Sequence, residues 1–460
     1  MGKTMKKILI FSVAMCVTMG FAQEVASPNA EFTRAHVILM HTPSQELYDG
    51  VIHPAAGLYD DYFDADAAAE EHRGYIAMLE DNDIEVHTVE EVLMSMDHET
   101  LRKLADKCLT YDATDTRMSA AEVEDYRQYV LQRMTHRDLY RTLLFHPTVE
   151  LHETGLNTGL EAVYKRNPLM NLYFLRDQSI STPCGQIMCR MNSSQRADEV
   201  DIIEACYHQL GYDPVWRVTG DGNYLEGGDY IPFGTIGLIG CGLRTTFGAI
   251  EQMMEQDVMG HDTIVVVNER WKDQYQMHLD TYFNVIDQDL VTLCFNRYDA
   301  QDESDINFLT IQMFARRPGE KLYHEVDAYK NMSFKAFLAE RHCQIIRISK
   351  EDADHYANNY LAIDGRHIMS VANQSGQLEQ EYASHGVTVE WVPLENLIGG
   401  YGAAHCMTQV LRRDVYQSQS TSIDAIPVGS KPSANGKYMI DNTLIINDES
   451  NQYMINGVAY

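Results

Sequence analysis

Basic residues are scarce in this chain: lysine and arginine together number 36 against 67 aspartates and glutamates, for a formal net charge of -31 at pH 7. Nucleic acids and anionic membranes reward basic patches, so neither is expected as a partner, whereas an acidic field modestly favours cationic small molecules. A membrane-length apolar run is also missing at the amino terminus, where the stretch from Ile8 to Met19 is too short for a comfortable span. With Lys3, Lys6 and Lys7 ahead of it and Gly20-Phe21-Ala22 behind, that stretch matches a secretory signal peptide, residues 1–22, cleaved after Ala22. The mature protein is therefore expected to be exported, periplasmic or secreted. No CxxC pair suggests structural zinc. Past Cys16 the cysteines 108, 184, 189, 206, 241, 294, 343 and 406 are scattered unlike those of a disulfide-dense scaffold, so most are expected to be buried free thiols.

What is present fits a large globular protein. At 460 residues and 45% hydrophobic content, the chain can bury an extensive core, as several domains or as one repeated architecture. A helix-like stretch running through a polar turn into a β-rich strand recurs five times: Glu70 to Asp81 into Ile84-Glu85-Val86, Glu199 to Leu210 into Val215-Trp216-Arg217-Val218, Ala249 to Asp257 into Thr263 to Val267, Phe334 to Arg341 into Gln344 to Ile348, and Gln377 to Ser384 into Val387-Thr388-Val389. The spacing is irregular, which excludes a solenoid of fixed period, and alternating units of this kind are common in α/β proteins. Between the first two units, Thr88 to about Lys165 places apolar residues three and four apart, as in Met94 to Leu109 and Ala121 to Leu144, and predicts amphipathic helices. The stretch from Asp424 to Tyr460 reads as a loop followed by one or two strands, with no chemistry to assign.

Four polar islands carry the candidate chemistry: Asn171-Leu172-Tyr173-Phe174-Leu175-Arg176-Asp177, Glu226-Gly227-Gly228-Asp229, His278-Leu279-Asp280, and Cys406 in its glycine-rich stretch from Gly399. A cysteine does covalent work as the thiolate, and nearby glycines let a substrate approach its sulfur closely. A guanidinium is planar, cationic and rich in N–H donors, so carboxylates such as Asp177 and Asp280 suit its recognition. Each is read as ending a segment where a strand would deliver it to a loop; taken alone such an Asp is more often a turn cap, and the functional reading depends on its company. His278 lies two residues before Asp280, and on an extended segment both would point to one side, the histidine shuttling protons. A solvated pair or half of a metal site fits the same His-x-Asp. Glu226 can enter a crowded interior beside an imidazole, raising its pKa and fixing its orientation, or belong to an ordinary hairpin turn. Taken together, the islands make a guanidine-modifying enzyme the leading hypothesis.

The islands resemble those of the arginine deiminases within the guanidino-group-modifying superfamily. Asn171 to Asp177 is similar to that family's Asn-Leu-x-Phe-Thr-Arg-Asp, Glu226 to Asp229 to its Glu-Gly-Gly-Asp, His278 to Thr281 to its His-Leu-Asp-Thr, and Gly402 to Thr408 to its cysteine loop. The resemblance implies an α/β fold, a five-bladed pseudo-symmetric α/β propeller (pentein) over residues 31–423, with an all-helical insertion at 90–165 and a carboxyl-terminal extension at 424–460. It implies that Cys406 attacks the guanidino carbon while Asp177 and Asp280 grip the guanidinium, that His278 protonates leaving ammonia and then activates water, and that Glu226 supports the histidine. Asn171, Phe174, Arg196 and Arg244 are implied to hold the amino-acid end of arginine, with Asp229 holding its loop beside them. The implied reaction takes L-arginine to L-citrulline and ammonia, in arginine catabolism, with no metal or organic cofactor. The implied partner is a small guanidino substrate, with no nucleic acid, no membrane in the mature form, and a homo-oligomer compatible with the sequence.

The pattern departs from the family in one place that bears on substrate: the cysteine loop carries Tyr401 and no arginine among its glycines. That leaves room for a related guanidine hydrolase, a peptidylarginine or agmatine deiminase, or an amidinotransferase. Two other classes fit a cysteine, a histidine and carboxylates: an amide-cleaving cysteine hydrolase, disfavoured because extra carboxylates repel an oxyanion, and a catalytically silent binder.

Overall fold

Five small sheets in this computed structural model repeat one pattern, a first strand antiparallel to a second, which runs parallel to a third. The model describes residues 28–417 and, as backbone, the strands Gly436–Ile440, Thr443–Asp448 and Asn451–Asn456. The leader expected at 1–22 lies outside the described residues, as does the loop expected after residue 424. The first sheet joins Ser179–Thr182, Gly185–Met188 and Trp216–Arg217. The second is built on Tyr230–Phe233, Ile236–Cys241 and Thr263–Asn268. The third holds Phe283–Asp287, Leu290–Cys294 and Gln344–Ile348, and the fourth Leu361–Asp364, His367–Val371 and Thr388–Val392. The fifth closes the two ends of the domain on each other, Gln409–Arg413 pairing antiparallel with Ala35–Met40, which runs parallel to Glu85–Thr88.

A helix crosses between the second and third strands of every unit: Glu199–Leu210, Phe247–Glu255, Phe334–Glu340, Gly376–Ser384 and, in the fifth, Ala65–Asp81. Parallel neighbours need such a crossover, and the covered strands become continuous apolar runs, as in Ile264-Val265-Val266-Val267, all fully buried. Glu199–Leu210 turns Ile202, Ile203, Cys206 and Tyr207 inward and stops at Gly211, whose φ of 80° supplies the left-handed cap. All five helix-to-strand units expected from the sequence are present at these places.

The region expected to be an all-helical insertion is mixed. Its helices Val89–Ser95, Ala120–Leu131 and His136–Phe145 start at reciprocal capping boxes, Thr88 with Glu91, Ser119 with Glu122 and Thr135 with Asp138. With them lies a three-stranded sheet of Thr110–Asp115, Thr148–Glu153 and Leu160–Lys165. These strands are polar and half-exposed on both faces, so no apolar alternation advertised them. Three strands, against the one or two expected, form the terminal meander. No helix among the described residues is long and apolar enough to cross a membrane.

Candidate active site

The polar islands occupy equivalent places in successive units, each immediately before a first strand. Asp177 precedes Ser179–Thr182, the Glu226 to Asp229 turn precedes Tyr230–Phe233, His278 and Asp280 precede Phe283–Asp287, and Cys406 precedes Gln409–Arg413. The fourth unit supplies Asn359, ahead of Leu361–Asp364, which the sequence reading passed over. Superposing the five units would have found it. Neither aspartate ends a strand: Asp177 follows a tightly packed turn, Leu172 to Leu175, and Asp280 lies within the helical turn Leu279–Tyr282.

His278 and Asp280 were expected to share one side of an extended segment. Instead His278 precedes a single helical turn, Leu279–Tyr282, which begins where Asp229 accepts the Leu279 backbone N–H at 2.9 Å. The turn sends the two side chains to different partners. His278 Nε2 meets Glu226 Oε2 at 2.9 Å, and its Nδ1 lies 3.7 Å from Asp177 Oδ1. Burial pushes against the imidazolium, but the facing carboxylates Asp177, Glu226 and Asp229 outweigh it and raise His278 to about 9. Glu226, pushed up by burial and pulled down more strongly by His278, Arg244 and Arg196, sits at about 2. Its other oxygen accepts the Asn192 N–H at 2.8 Å.

Cys406 lies at the junction of the third, fourth and fifth loops. Asn359 Nδ2 donates to its sulfur at 3.1 Å, and Asn359 Oδ1 accepts the backbone N–H groups of Ala403 and Cys406 at 2.8 and 3.0 Å. Asp280 Oδ2 is 3.4 Å from the sulfur. Burial and the charges of Asp280 and Asp177 raise the thiol well above its ordinary value, so without a bound cation the sulfur keeps its proton. Gly402 is required here: a Cβ on it would come within 2.8 Å of the Phe174 ring and 3.1 Å of the sulfur.

A narrow cleft opens onto the nucleophile, with Asp177, His278 and Cys406 on its wall beside Asn171, Phe174, Arg196 and Arg244. Arg244 donates to Gln274 at 2.9 Å and keeps a buried Nε without a partner. Arg196, expected to grip the substrate's amino-acid end, is instead committed to protein carboxylates: it donates to Asp177 at 2.7 Å and to Glu199 through two nitrogens at 3.0 and 2.9 Å. Asn171 donates its amide to the Gly57 carbonyl at 3.0 Å. Asp229 lies behind His278, off the cleft wall, where burial raises it to about 7. The oxygen and nitrogen atoms of Asp177, Glu226 and His278 are close enough to hold a metal ion.

The arginine deiminase family model matches residues 56–413, most of the chain. The chain belongs to the arginine deiminase family. It is 24% identical to the arginine deiminase of Halobacterium salinarum, over 84% of this chain and 96% of that protein, and 25% identical to that of Lactococcus lactis subsp. lactis, over 84% and 98%. In fold it is similar to the product-bound N-terminal domain of ArgZ, an arginine dihydrolase from the ornithine–ammonia cycle in cyanobacteria, with a TM-score of 0.51 and 14% identity over 83% of this chain and 99% of that one. For this family member the site residues not foreseen are Asn359, His405, Glu199 and Glu31. His405 sits next to the nucleophile, where the expected roles drew attention to the sulfur alone.

Proposed function

We propose that this protein is an arginine deiminase, hydrolysing L-arginine to L-citrulline and ammonia through a covalent intermediate on Cys406. The observation that carries the reading is a buried thiol and a buried imidazole on one cleft, with Asp177 and Asp280 each keeping one buried oxygen without a hydrogen-bond partner. Such oxygens suit the N–H groups of a planar cation. A guanidinium bound there offsets the negative field of the two aspartates, and the Cys406 proton passes to solvent as the thiolate becomes the stable form, His278 already carrying its own. The thiolate attacks the guanidino carbon, and the His278 imidazolium protonates the departing nitrogen, which leaves as ammonia. A thiouronium remains on the sulfur. Neutral His278 then takes one proton from water as its oxygen attacks the same carbon; the carbon–sulfur bond breaks, the second water proton returns to sulfur, and the ureido product departs.

The repeated sheets, with site residues at the same place in each, support reading the domain as a five-bladed α/β propeller with the site where the five loops meet. Export is part of the proposal and rests on the lysines and apolar run within residues 1–22; a secreted product beginning at Gln23 would support it. The test of the reaction is ureido product from arginine, agmatine and an arginine-containing peptide. Turnover of arginine, abolished in Cys406→Ser, is expected; activity on the other two alone would overturn the assignment to free arginine.

A further inference from the structure

Asp177 and Asp280 are held in matching ways. Arg196 Nη1 donates to Asp177 Oδ2 at 2.7 Å, and His405 Nδ1 lies 2.7 Å from Asp280 Oδ2, while Oδ1 of each aspartate is buried and without a partner. A carboxylate rotates readily about its last torsion, so fixing one oxygen decides where the other points. The second nitrogen of His405 is 3.2 Å from Glu31 Oε1, which also accepts from Arg413 at 2.8 Å and faces Arg176 at 3.6 Å. None of these side chains is exposed by more than a few per cent. Burial favours the neutral form of both acids, but the cations around Glu31 and the His405 hydrogen bond to Asp280 outweigh it and hold both carboxyls below their ordinary values. Glu31 lies ahead of the segment 56–413 that the family model covers.

We propose that His405, clamped by Glu31, is a positioning residue that fixes one oxygen of Asp280 and turns the other toward the substrate's guanidinium, as Arg196 does for Asp177. The proposal rests on the guanidine-hydrolase reading above. His405 touches no substrate; its effect travels through Asp280. Without it, Asp280 Oδ2 keeps only the Cys406 sulfur at 3.4 Å as a neighbour, the carboxylate turns freely, and the preference for a planar cation is lost.

The experiment compares alkylation of Cys406 in the full protein by chloroacetamidine, a planar amidinium, and by neutral iodoacetamide, with exposed Cys184 as the internal reference. In His405→Leu the ratio of amidine to amide rates is expected to fall at least about tenfold, with a matching rise in KM for arginine, the scale of one charge-assisted hydrogen bond. His405→Asn keeps a donor toward Asp280 and is expected to restore most of the ratio; Glu31→Gln is expected to fall between them. A folded Leu variant with the wild-type ratio overturns the proposal, as does an Asn variant as impaired as Leu. Should the Leu variant not fold, Glu31→Gln decides, and a wild-type ratio there overturns the proposal. A wild type without amidine preference would instead sink the guanidinium-binding reading beneath it.

Discussion

Asn359 holds Cys406 at both ends of the residue, its amide nitrogen 3.1 Å from the sulfur and its carbonyl oxygen accepting the backbone N–H at 3.0 Å. The N–H aimed at the sulfur favours the thiolate and works against burial and the aspartates, which raise the Cys406 thiol. Asn359→Ala is expected to reduce kcat by about 10- to 100-fold, the scale of a hydrogen bond to a charged partner. Asn359→Asp should be worse, because it adds a carboxylate beside the sulfur. The pH dependence of iodoacetamide alkylation reports the cause directly: the thiol should titrate at higher pH in both variants.

The sequence reached the units and the reacting groups by different routes. The five helix-to-strand units were legible because their apolar residues follow helix and strand periods, and the structure places Glu199–Leu210 where the periodicity put it. Cys406 and Glu226 were legible beside their glycines, and His278 through its two-residue spacing from Asp280 and the resemblance of all four islands to the arginine deiminases. Asn359 and Glu31 were not, since an Asn before a strand and a Glu before the first strand have many ordinary uses. Their roles exist only in three dimensions: Glu31 reaches His405 across 374 positions of chain. Arg196 shows the opposite failure, a residue located correctly within the cleft whose hydrogen bonds the sequence could not apportion.

The His278–Glu226 pair sets the alkaline limit of the reaction. His278 is raised from 6.5 to about 9 in the fold, so at neutral pH it is ready to protonate departing ammonia, and kcat/KM is expected to decline above about 9. Glu226→Gln removes a carboxylate that supports the imidazolium and should move that limb to lower pH while lowering kcat. Stability follows the same sign. The contribution of His278 is complete below its unfolded value of 6.5 and disappears as pH rises through about 9, so the wild type should lose melting temperature over that interval and the Gln variant lose less.

Arg196 and Arg244 should separate in substrate discrimination. Because Arg196 is tied to Asp177 and Glu199, removing it leaves two buried carboxylates uncompensated; Arg196→Ala is expected to destabilise the fold by about 3–5 kcal/mol. In Arg196→Lys, KM should rise for arginine and agmatine alike, since the loss is in the grip of Asp177 on the guanidinium common to both. Arg244 has a buried Nε to spare in the cleft. Arg244→Gln should therefore raise KM for arginine by about 10- to 100-fold, as expected for one charge-assisted hydrogen bond, and leave agmatine, which has no carboxylate, nearly unchanged. Equal effects of Arg244→Gln on both substrates would place the carboxylate elsewhere.

Tyr401 occupies the left-handed region, with φ of 68°, in the loop that carries the nucleophile. A side chain in that conformation costs about 1–2 kcal/mol relative to glycine, so its neighbours must hold it there. Its ring meets Tyr275 edge to face at 5.1 Å, the Tyr275 hydroxyl donates to Asp60, and the Asp60 backbone N–H donates to Gly399 at 2.8 Å. The ring also lines the cleft that contains Cys406. Tyr401→Gly should relieve the backbone while removing that cover, so melting temperature is expected to change little. Iodoacetamide should then reach Cys406 faster, and kcat/KM for arginine should fall as water enters a site whose charges act through exclusion of solvent. Thermal melts, alkylation rates and steady-state kinetics on the one variant separate the two effects: a lower melting temperature with unchanged alkylation would mean that the ring braces the loop without covering the sulfur.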